Sequence, residues 1–306
     1  MYDVIVLGAG HAGIEAALAS SRMGLNTALI TLKKESIALM PCNPSVGGPA
    51  KGIVVREIEA LGGQMGKTAD ATALQFKMLN TNKGPGVQSL RVQSDKLAYA
   101  RMMRDLVEHQ PHLDVIETLI EEVMVDHQHI RGVRGGDGTI YQCQALVLTT
   151  GTYMSSKVMI SADVKASGPD GLATTTKLST SLRNLGLRTF RLKTGTPPRV
   201  YTNTIDFSVT TLQPGDSDPQ FFSRQTRSDA VIQKQVPCYL TYTNEATHQI
   251  IRDNLTRSSM YSGVVEGVGP RYCPSIEDKV VRFADKDHHQ LFLEPEGRNT
   301  EEWYVQ

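Results

Sequence analysis

Tyr2-Asp3-Val4-Ile5-Val6-Leu7-Gly8-Ala9-Gly10-His11-Ala12-Gly13-Ile14 is the stretch whose reading decides the fold. Tyr2 to Leu7 has the length and apolar character of a strand. After the glycines, Ile14, Ala17, Leu18 and Ser21 recur at i, i+3, i+4 and i+7, the spacing of one helix face. Met23-Gly24 stops that helix and Thr27 to Thr31 resumes strand character, completing a βαβ unit of about thirty residues. In this context each glycine of the G-x-G-x-x-G pattern has a task. Gly8 permits the tight turn, Gly10 lets a pyrophosphate approach the backbone, and Gly13 allows close packing of helix on strand. The helix N–H groups then face the anion. A glycine turn of purely structural use is the alternative reading. No acidic residue ends the second strand, where Thr31-Leu32-Lys33-Lys34 stands, and Glu35 is the nearest carboxylate in sequence.

Further along, Asp114 to Thr118, Leu119 to Val125 and Ile130 to Arg134 read as strands, Gly135-Gly136-Asp137-Gly138 as a turn, and Thr139 to Thr149 as a strand leading into Thr150-Gly151-Thr152. A hairpin excursion followed by an apolar strand ending in a Thr-Gly step favours FAD over a bare nicotinamide site. Met40 to Gly52 is too rich in Pro and Gly for regular structure. The helix after it places Val54, Ile58 and Leu61 at i, i+4 and i+7 and stops at Gly62-Gly63. Cys42, near that helix start, is a candidate for an activated thiol, and a structural or incidental loop cysteine is the alternative reading. A helix from Asp95 to Gln110 carries Tyr99, Met102, Met103 and Leu106 on a core face, and Leu178 to Leu185 is helical. Lys193 to Arg199 is a rigid loop, and from Val200 strand-like runs such as Val236 to Tyr242 alternate with polar loops and a helix over Thr247 to Asn254. The expected class is α/β: a Rossmann-like domain of the two-dinucleotide-binding flavoprotein type with an inserted mixed α/β domain. The expected division is a first part over 1–200, the insertion over 201–268 and a return segment over 269–306.

Composition narrows the function further. The 306 residues are about two domains' worth. With 32 Lys plus Arg against 32 Asp plus Glu the net charge is zero, so any nucleic-acid contact must come from local clusters. Lys51 with Arg56, Lys83 with Arg91, and Arg191 with Lys193 and Arg199 are the candidates. No apolar run is long enough to span a bilayer and no signal-peptide pattern opens the chain, which points to the cytoplasm. The four cysteines, Cys42, Cys143, Cys238 and Cys273, form no Cys-x-x-Cys pair, so neither a disulfide framework nor structural zinc is expected.

Taken together the sequence resembles the MnmG (GidA) family of tRNA wobble-uridine modifying flavoproteins. The matching stretches are GAGHAGIEAA (Gly8 to Ala17), CNPSVGGPAKG (Cys42 to Gly52), REIEALGG (Arg56 to Gly63), LNTNKGPGV (Leu79 to Val87), RLKTGTPPR (Arg191 to Arg199), GVVEGVGPRYCPSIEDKVVRFADK (Gly263 to Lys286) and FLEPEG (Phe292 to Gly297). The resemblance implies FAD as cofactor, NADH as reductant and methylene-tetrahydrofolate as one-carbon donor. It also implies the GTPase MnmE as partner, in a heterotetramer built on a homodimer, and C5 of the wobble uridine of certain tRNAs as target. By the same resemblance Gly8-Ala9-Gly10-His11-Ala12-Gly13 hold the FAD pyrophosphate, and Ile120 and Thr175 are further FAD contacts. Gly269-Pro270-Arg271-Tyr272-Cys273-Pro274-Ser275-Ile276-Glu277-Asp278-Lys279-Val280-Val281-Arg282-Phe283 corresponds to the stretch assigned to NAD, with Arg271 and Lys279 able to meet phosphate. Cys273 is the implied nucleophile for uracil C6 and Cys42 a second, flavin-side thiol, while Cys143 and Cys238 match no reactive motif. The family continues past FLEPEG, whereas this chain stops at Val305-Gln306, so a closing FAD segment and a helical region are expected to be missing. A general FAD/NAD(P)H oxidoreductase and a catalytically inactive shortened paralogue are the competing readings.

Overall fold

The computed structural model of the chain describes residues 1–160, 163–227, 234–259, 261, 267, 269 and 275–306. Its opening unit is strand β1 (Tyr2–Leu7), helix α1 (His11–Arg22) and strand β2 (Thr27–Thr31), within a residue of the expected bounds. All of β2 and the stretch Val4 to Leu7 of β1 are buried, as parallel strands covered on both faces require. Ile14, Ala17, Leu18 and Ser21 are the buried face of α1, together with Gly13.

A side sheet follows, of strands β3 (Ser45–Gly47), β4 (Ala73–Leu79) and β5 (Ser89–Ser94), with helices α2 (Lys51–Ala60) and α3 (Met65–Ala71) between the first two. Its order is β3-β5-β4, antiparallel throughout. Two expectations are corrected here. The glycine-rich loop contains a strand, because Ser45 to Gly47 finds ladder partners on β5. The inward face of α2 is Gly52 and Val55, whereas Val54 is 50% and Leu61 91% exposed. The cause is Gly52: a Cβ there would lie 2.4 Å from Ser89 Oγ and 2.9 Å from the Leu90 carbonyl oxygen. That contact fixes the rotation of α2 and turns Val54 and Leu61 outward.

Helix α4 (Lys96–Glu108) is capped by Asp95, which accepts from Ala98 N at 2.9 Å. Its buried stripe is Tyr99, Met103 and Val107, so Met102, expected in the core, is 41% exposed instead. Strand β6 (Leu113–Glu117) then joins β2 in parallel. A meander of β7 (Ile120–Asp126), β8 (His129–Gly135) and β9 (Ile140–Leu148) completes a six-stranded sheet of order β6-β2-β1-β9-β8-β7. β9 changes partner midway: Ile140 to Gln142 pair antiparallel with β8, and Cys143 to Leu148 pair parallel with β1. The two faces of the sheet hold separate cores. Val4, Val6 and Leu29 pack with α1 and α4, whereas Ile5, Leu7, Ala28 and Ile30 pack with the meander and with Leu178 and Leu182.

The remaining elements are the hairpin β10 (Val158–Ile160) and β11 (Asp163–Lys165), helix α5 (Thr176–Asn184), strands β12 (Arg199–Tyr201), β13 (Thr211–Gln213) and β14 (Cys238–Tyr242), helices α6 (Glu245–Asp253) and α7 (Ile276–Arg282), and strands β15 (Gln290–Pro295) and β16 (Glu302–Val305). A five-stranded antiparallel sheet takes the order β12-β16-β15-β14-β13. The division expected at residue 268 therefore coincides with no sheet boundary. β15 and β16, in the stretch expected to return to the first domain, pair with each other, with β14 and with β12. Among the described residues no helix is long and apolar enough to cross a membrane.

The segment around Phe222 locks the side sheet to α3. Asp70, fully buried, accepts from Phe222 N at 3.0 Å, Ser223 N at 2.8 Å and Thr226 Oγ1 at 2.7 Å. The Phe222 side chain fills the space left by two glycines: a Cβ on Gly47 would stand 2.6 Å from its ring and one on Gly66 2.9 Å from its Cβ. Phe222→Ala is expected to cost about 3–5 kcal/mol in urea unfolding, the range for emptying a buried aromatic site. A loss under about 1 kcal/mol would show that this plug is not part of the cooperative core.

Candidate functional site

The loop after β1 is built by backbone contact. Gly8 has φ +103°, and a Cβ there would stand 2.4 Å from the Thr149 carbonyl oxygen. A Cβ on Gly13 would stand 1.8 Å from the Gly8 carbonyl oxygen and 2.6 Å from Thr149 Oγ1. Thr149, just past β9, donates its hydroxyl to the Leu7 and Gly8 carbonyls at 2.8 and 3.0 Å, which ties the two strand ends together. Gly10 is different. Its φ is −75°, open to any residue, and a Cβ there would meet no described atom within 4 Å. Neither backbone nor packing asks for glycine at position 10. What it leaves is open space before the first turn of α1, where no side chain caps the helix and no acidic residue stands.

This space lies where the chain turns from β1 to β2 on one side while β9 occupies the other, the switch point at which open α/β sheets bind ligands. A pyrophosphate fits it: uncapped N–H groups, the positive end of the helix dipole and no side chain in the way. Ala9 is buried and its carbonyl accepts from Ala38 N at 3.0 Å, Ala38 being held at φ 58°, so the segment after β2 folds back over the loop. Ala12 is exposed. The His11 ring meets Tyr99 at 5.5 Å, and both His11 Nε2 and the Tyr99 hydroxyl are buried with no hydrogen-bond partner among the described residues. Burial pushes the His11 imidazole below its ordinary pKa and the Tyr99 phenol above its own.

At the end of β2, Glu35 is exposed, and the carboxylate brought there is Glu117, which accepts from Lys34 N at 2.8 Å. Sequence reasoning missed Glu117 because it arrives on the neighbouring parallel strand. The signal was its place at the next-to-last position of the strand read over 114–118. Ile120 and Thr175 are brought together: the Thr175 hydroxyl donates to the Ile120 carbonyl at 3.1 Å and accepts from Leu178 N at 3.3 Å, capping α5. Both side chains are buried.

A second constellation joins the side sheet to the five-stranded sheet. Register places Arg199, Tyr304 and Glu294 side by side on β12, β16 and β15. Arg91 pairs with Glu294, and Glu296 takes both Arg199 Nε at 2.9 Å and Lys96 Nζ at 3.4 Å. Burial pushes the Glu294 carboxyl up, Arg91 opposes it, and Glu294 Oε2 has no partner among the described residues. These pairs correct one expectation: Arg91 and Arg199 are committed to buried carboxylates, as buried charge requires, and are not free phosphate contacts. Lys51, Arg56 and Lys83 remain exposed. Arg191 donates to the Ser155 carbonyl.

Cys42 is exposed at the edge of this row, its Sγ 3.9 Å from the Tyr304 hydroxyl. It lies nine residues before α2, with β3 between, so the helix start is not its immediate setting. Cys143 and Cys238 are buried, and burial pushes the Cys238 thiol up to about 12. Of the stretch matched to NAD, Pro270, Arg271, Tyr272, Cys273 and Pro274 lie outside the described residues. Ser275 caps α7 reciprocally with Asp278. Asp278 also accepts from the Tyr261 hydroxyl at 2.9 Å, and Glu277 from Ser258 Oγ at 3.2 Å. Ile276 and Lys279 are half-buried and Val280 is buried, while Val281, Arg282 and Phe283 are exposed. A Cβ on Gly269 would stand 3.9 Å from Lys193 Cε.

The profile of the family described as glucose inhibited division protein A matches residues 3–306. The tRNA uridine 5-carboxymethylaminomethyl modification enzyme MnmG of Lacticaseibacillus paracasei is 57% identical over 304 residues, 99% of this chain and 48% of that protein. Its counterpart in Enterococcus faecalis is 56% identical over 305 residues, 100% of this chain and 48% of the relative. The crystal structure of Aquifex aeolicus GidA in form I superposes with a TM-score of 0.94 at 47% identity, covering 100% of this chain and 52% of that one. The chain spans about half the length of the curated relatives it matches.

His11 gives a test of the geometry around the loop. An imidazole held below its ordinary value of 6.5 binds fewer protons in the folded chain than in the unfolded one. The stability present above that value is therefore lost as pH falls through it toward the folded pKa. The thermal midpoint is expected to fall between about pH 7 and pH 5, and His11→Asn to flatten that fall. Identical pH profiles for the two proteins would show that His11 is not buried as described.

Proposed function

The chain belongs to the glucose inhibited division protein A family, and on that premise we propose that it forms the FAD-binding, thiol-bearing part of an enzyme modifying C5 of the wobble uridine in certain tRNAs. The observation that carries this reading is the open space at Gly10, before an uncapped α1 and between two glycines that packing does require. FAD, when bound, supplies the redox and one-carbon chemistry that no side chain offers. The chain's own part is to bind, orient and activate. The first turn of α1 holds the pyrophosphate, and the Ala38 to Ala9 hydrogen bond keeps the loop closed on it. Ile120 and Thr175, locked together, shape the flank of the site.

Cys273 is assigned the thiolate that adds to C6 of the uracil, which makes C5 nucleophilic. Cys42 is assigned the second thiol, on the flavin side. NADH is the proposed reductant, met along Gly269 to Phe283 with Arg271 and Lys279 toward phosphate, and methylene-tetrahydrofolate the one-carbon donor. The proposed partner is the GTPase MnmE, in a cytoplasmic heterotetramer built on a homodimer of the full-length family member. The names of the relatives, tRNA uridine modification enzymes at more than half identity, support the substrate class.

Two measurements test the reading. Gly10→Val adds bulk where the protein has room, so the thermal midpoint should hold while bound flavin falls about tenfold or more, pyrophosphate approach being blocked. Unchanged flavin content would remove the cradle. Cys273→Ser, introduced into cells as their sole copy, should abolish the modified wobble nucleoside in total tRNA with flavin content unchanged. Normal levels of that nucleoside would rule out Cys273 as the nucleophile.

A further inference from the structure

Cys42 is an exposed residue of a loop, yet the chain spends several interior groups on it. Arg199 Nη2 donates to the carbonyl oxygens of Cys42 at 2.9 Å and Pro41 at 3.2 Å. The same guanidinium lies 5.0 Å from the centre of the Tyr304 ring, and its Nε is anchored on buried Glu296. One cation thus fixes both the backbone that carries the thiol and the ring whose hydroxyl reaches it. The Tyr304 hydroxyl is 3.9 Å from Cys42 Sγ, within hydrogen-bond range for sulfur. A cysteine that only fills a loop has no need of such fixing.

We propose that Tyr304 is a positioning residue for Cys42, its hydroxyl donating a hydrogen bond to the sulfur once the thiol proton has left. Either atom of the pair can donate, and the surroundings decide which does. Tyr304 is 2% exposed, and burial, with Cys42 and Glu294 adding, raises its phenol well above the ordinary value. Glu294 stands beside it on the adjacent strand with an unpartnered Oε2 among the described residues, so a phenolate there would face a carboxylate. The phenol therefore keeps its proton and offers it to a sulfur that has lost its own. This inference deepens the proposed function and rests on Cys42 reacting as a thiolate.

The test is the rate at which iodoacetamide modifies Cys42 at fixed neutral pH, followed by peptide mass spectrometry. Buried Cys143 and Cys238 serve as internal controls. Tyr304→Phe keeps the ring under Arg199 and removes only the donor. The rate should fall about threefold to tenfold, the worth of one hydrogen bond to the reacting sulfur. An unchanged or faster rate overturns the proposal. Should the Phe protein fail to fold by circular dichroism, 3-fluorotyrosine at position 304 carries the same test. It is a stronger donor of nearly the same size and should speed the modification, and no change overturns the proposal. The failure of the underlying reading looks different: Cys42→Ser with tRNA modification intact removes Cys42 from the reaction and leaves the reactivity result standing.

Discussion

At position 13 the absence of a side chain lets a helix rest directly on the turn that precedes it. Any Cβ there would collide with the Gly8 carbonyl, so the seating of α1 against β1 hangs on this one approach. From it follow the angle at which α1 leaves the sheet, the face that buries Ile14, Ala17 and Leu18, and the direction in which the helix dipole points. Thr149 completes the joint from the neighbouring strand, because its hydroxyl can reach the Leu7 and Gly8 carbonyls only when those strand ends are in register. The space beside Gly10 is a by-product of that seating.

The second organising element is electrostatic. Glu294 on β15 and Glu296, one residue past the end of that strand, are both buried and face cations from other parts of the chain. Charge in such a position is tolerated only when paired. Arg91 of the side sheet and Arg199 of the five-stranded sheet therefore meet at the end of β15. Hydrogen bonds to main-chain carbonyls reinforce the seam: the Gln93 side-chain Nε2 donates to the Pro295 carbonyl at 2.9 Å and Lys96 N to the Glu296 carbonyl at 3.0 Å. The FLEPEG and RLKTGTPPR stretches thus serve a shared junction, and Cys42 hangs from its rim.

Local periodicity made the first unit legible. β1, α1, β2 and the β7 to β9 meander emerge nearly at the expected residues, because their signals lie within windows of a few turns. What stayed hidden depends on distant partners. The rotation of α2 is set by Gly52 against Leu90, which no pattern within 51–61 encodes. The placing of β15 and β16 is decided by ladders to strands as far away as residue 199. Arg91 and Arg199 looked like phosphate contacts because a sequence shows charge but not the carboxylate that neutralises it. Tyr304 drew no attention for a related reason: its role comes from its neighbour across the strand and from a thiol 262 residues earlier.

The strand β9 belongs to two neighbourhoods at once, antiparallel to β8 up to Gln142 and parallel to β1 from Cys143. Cooperative opening follows such boundaries. If the hairpin of β7 and β8 frays, the amides of Ile140 to Gln142 lose their partners while those of Cys143 to Leu148 keep theirs, so a single strand carries two levels of protection from solvent exchange. Thr149 and the Gly8 turn lie at the protected end. The meander can therefore breathe, or vary in length, without slackening the joint on which the glycine loop is built.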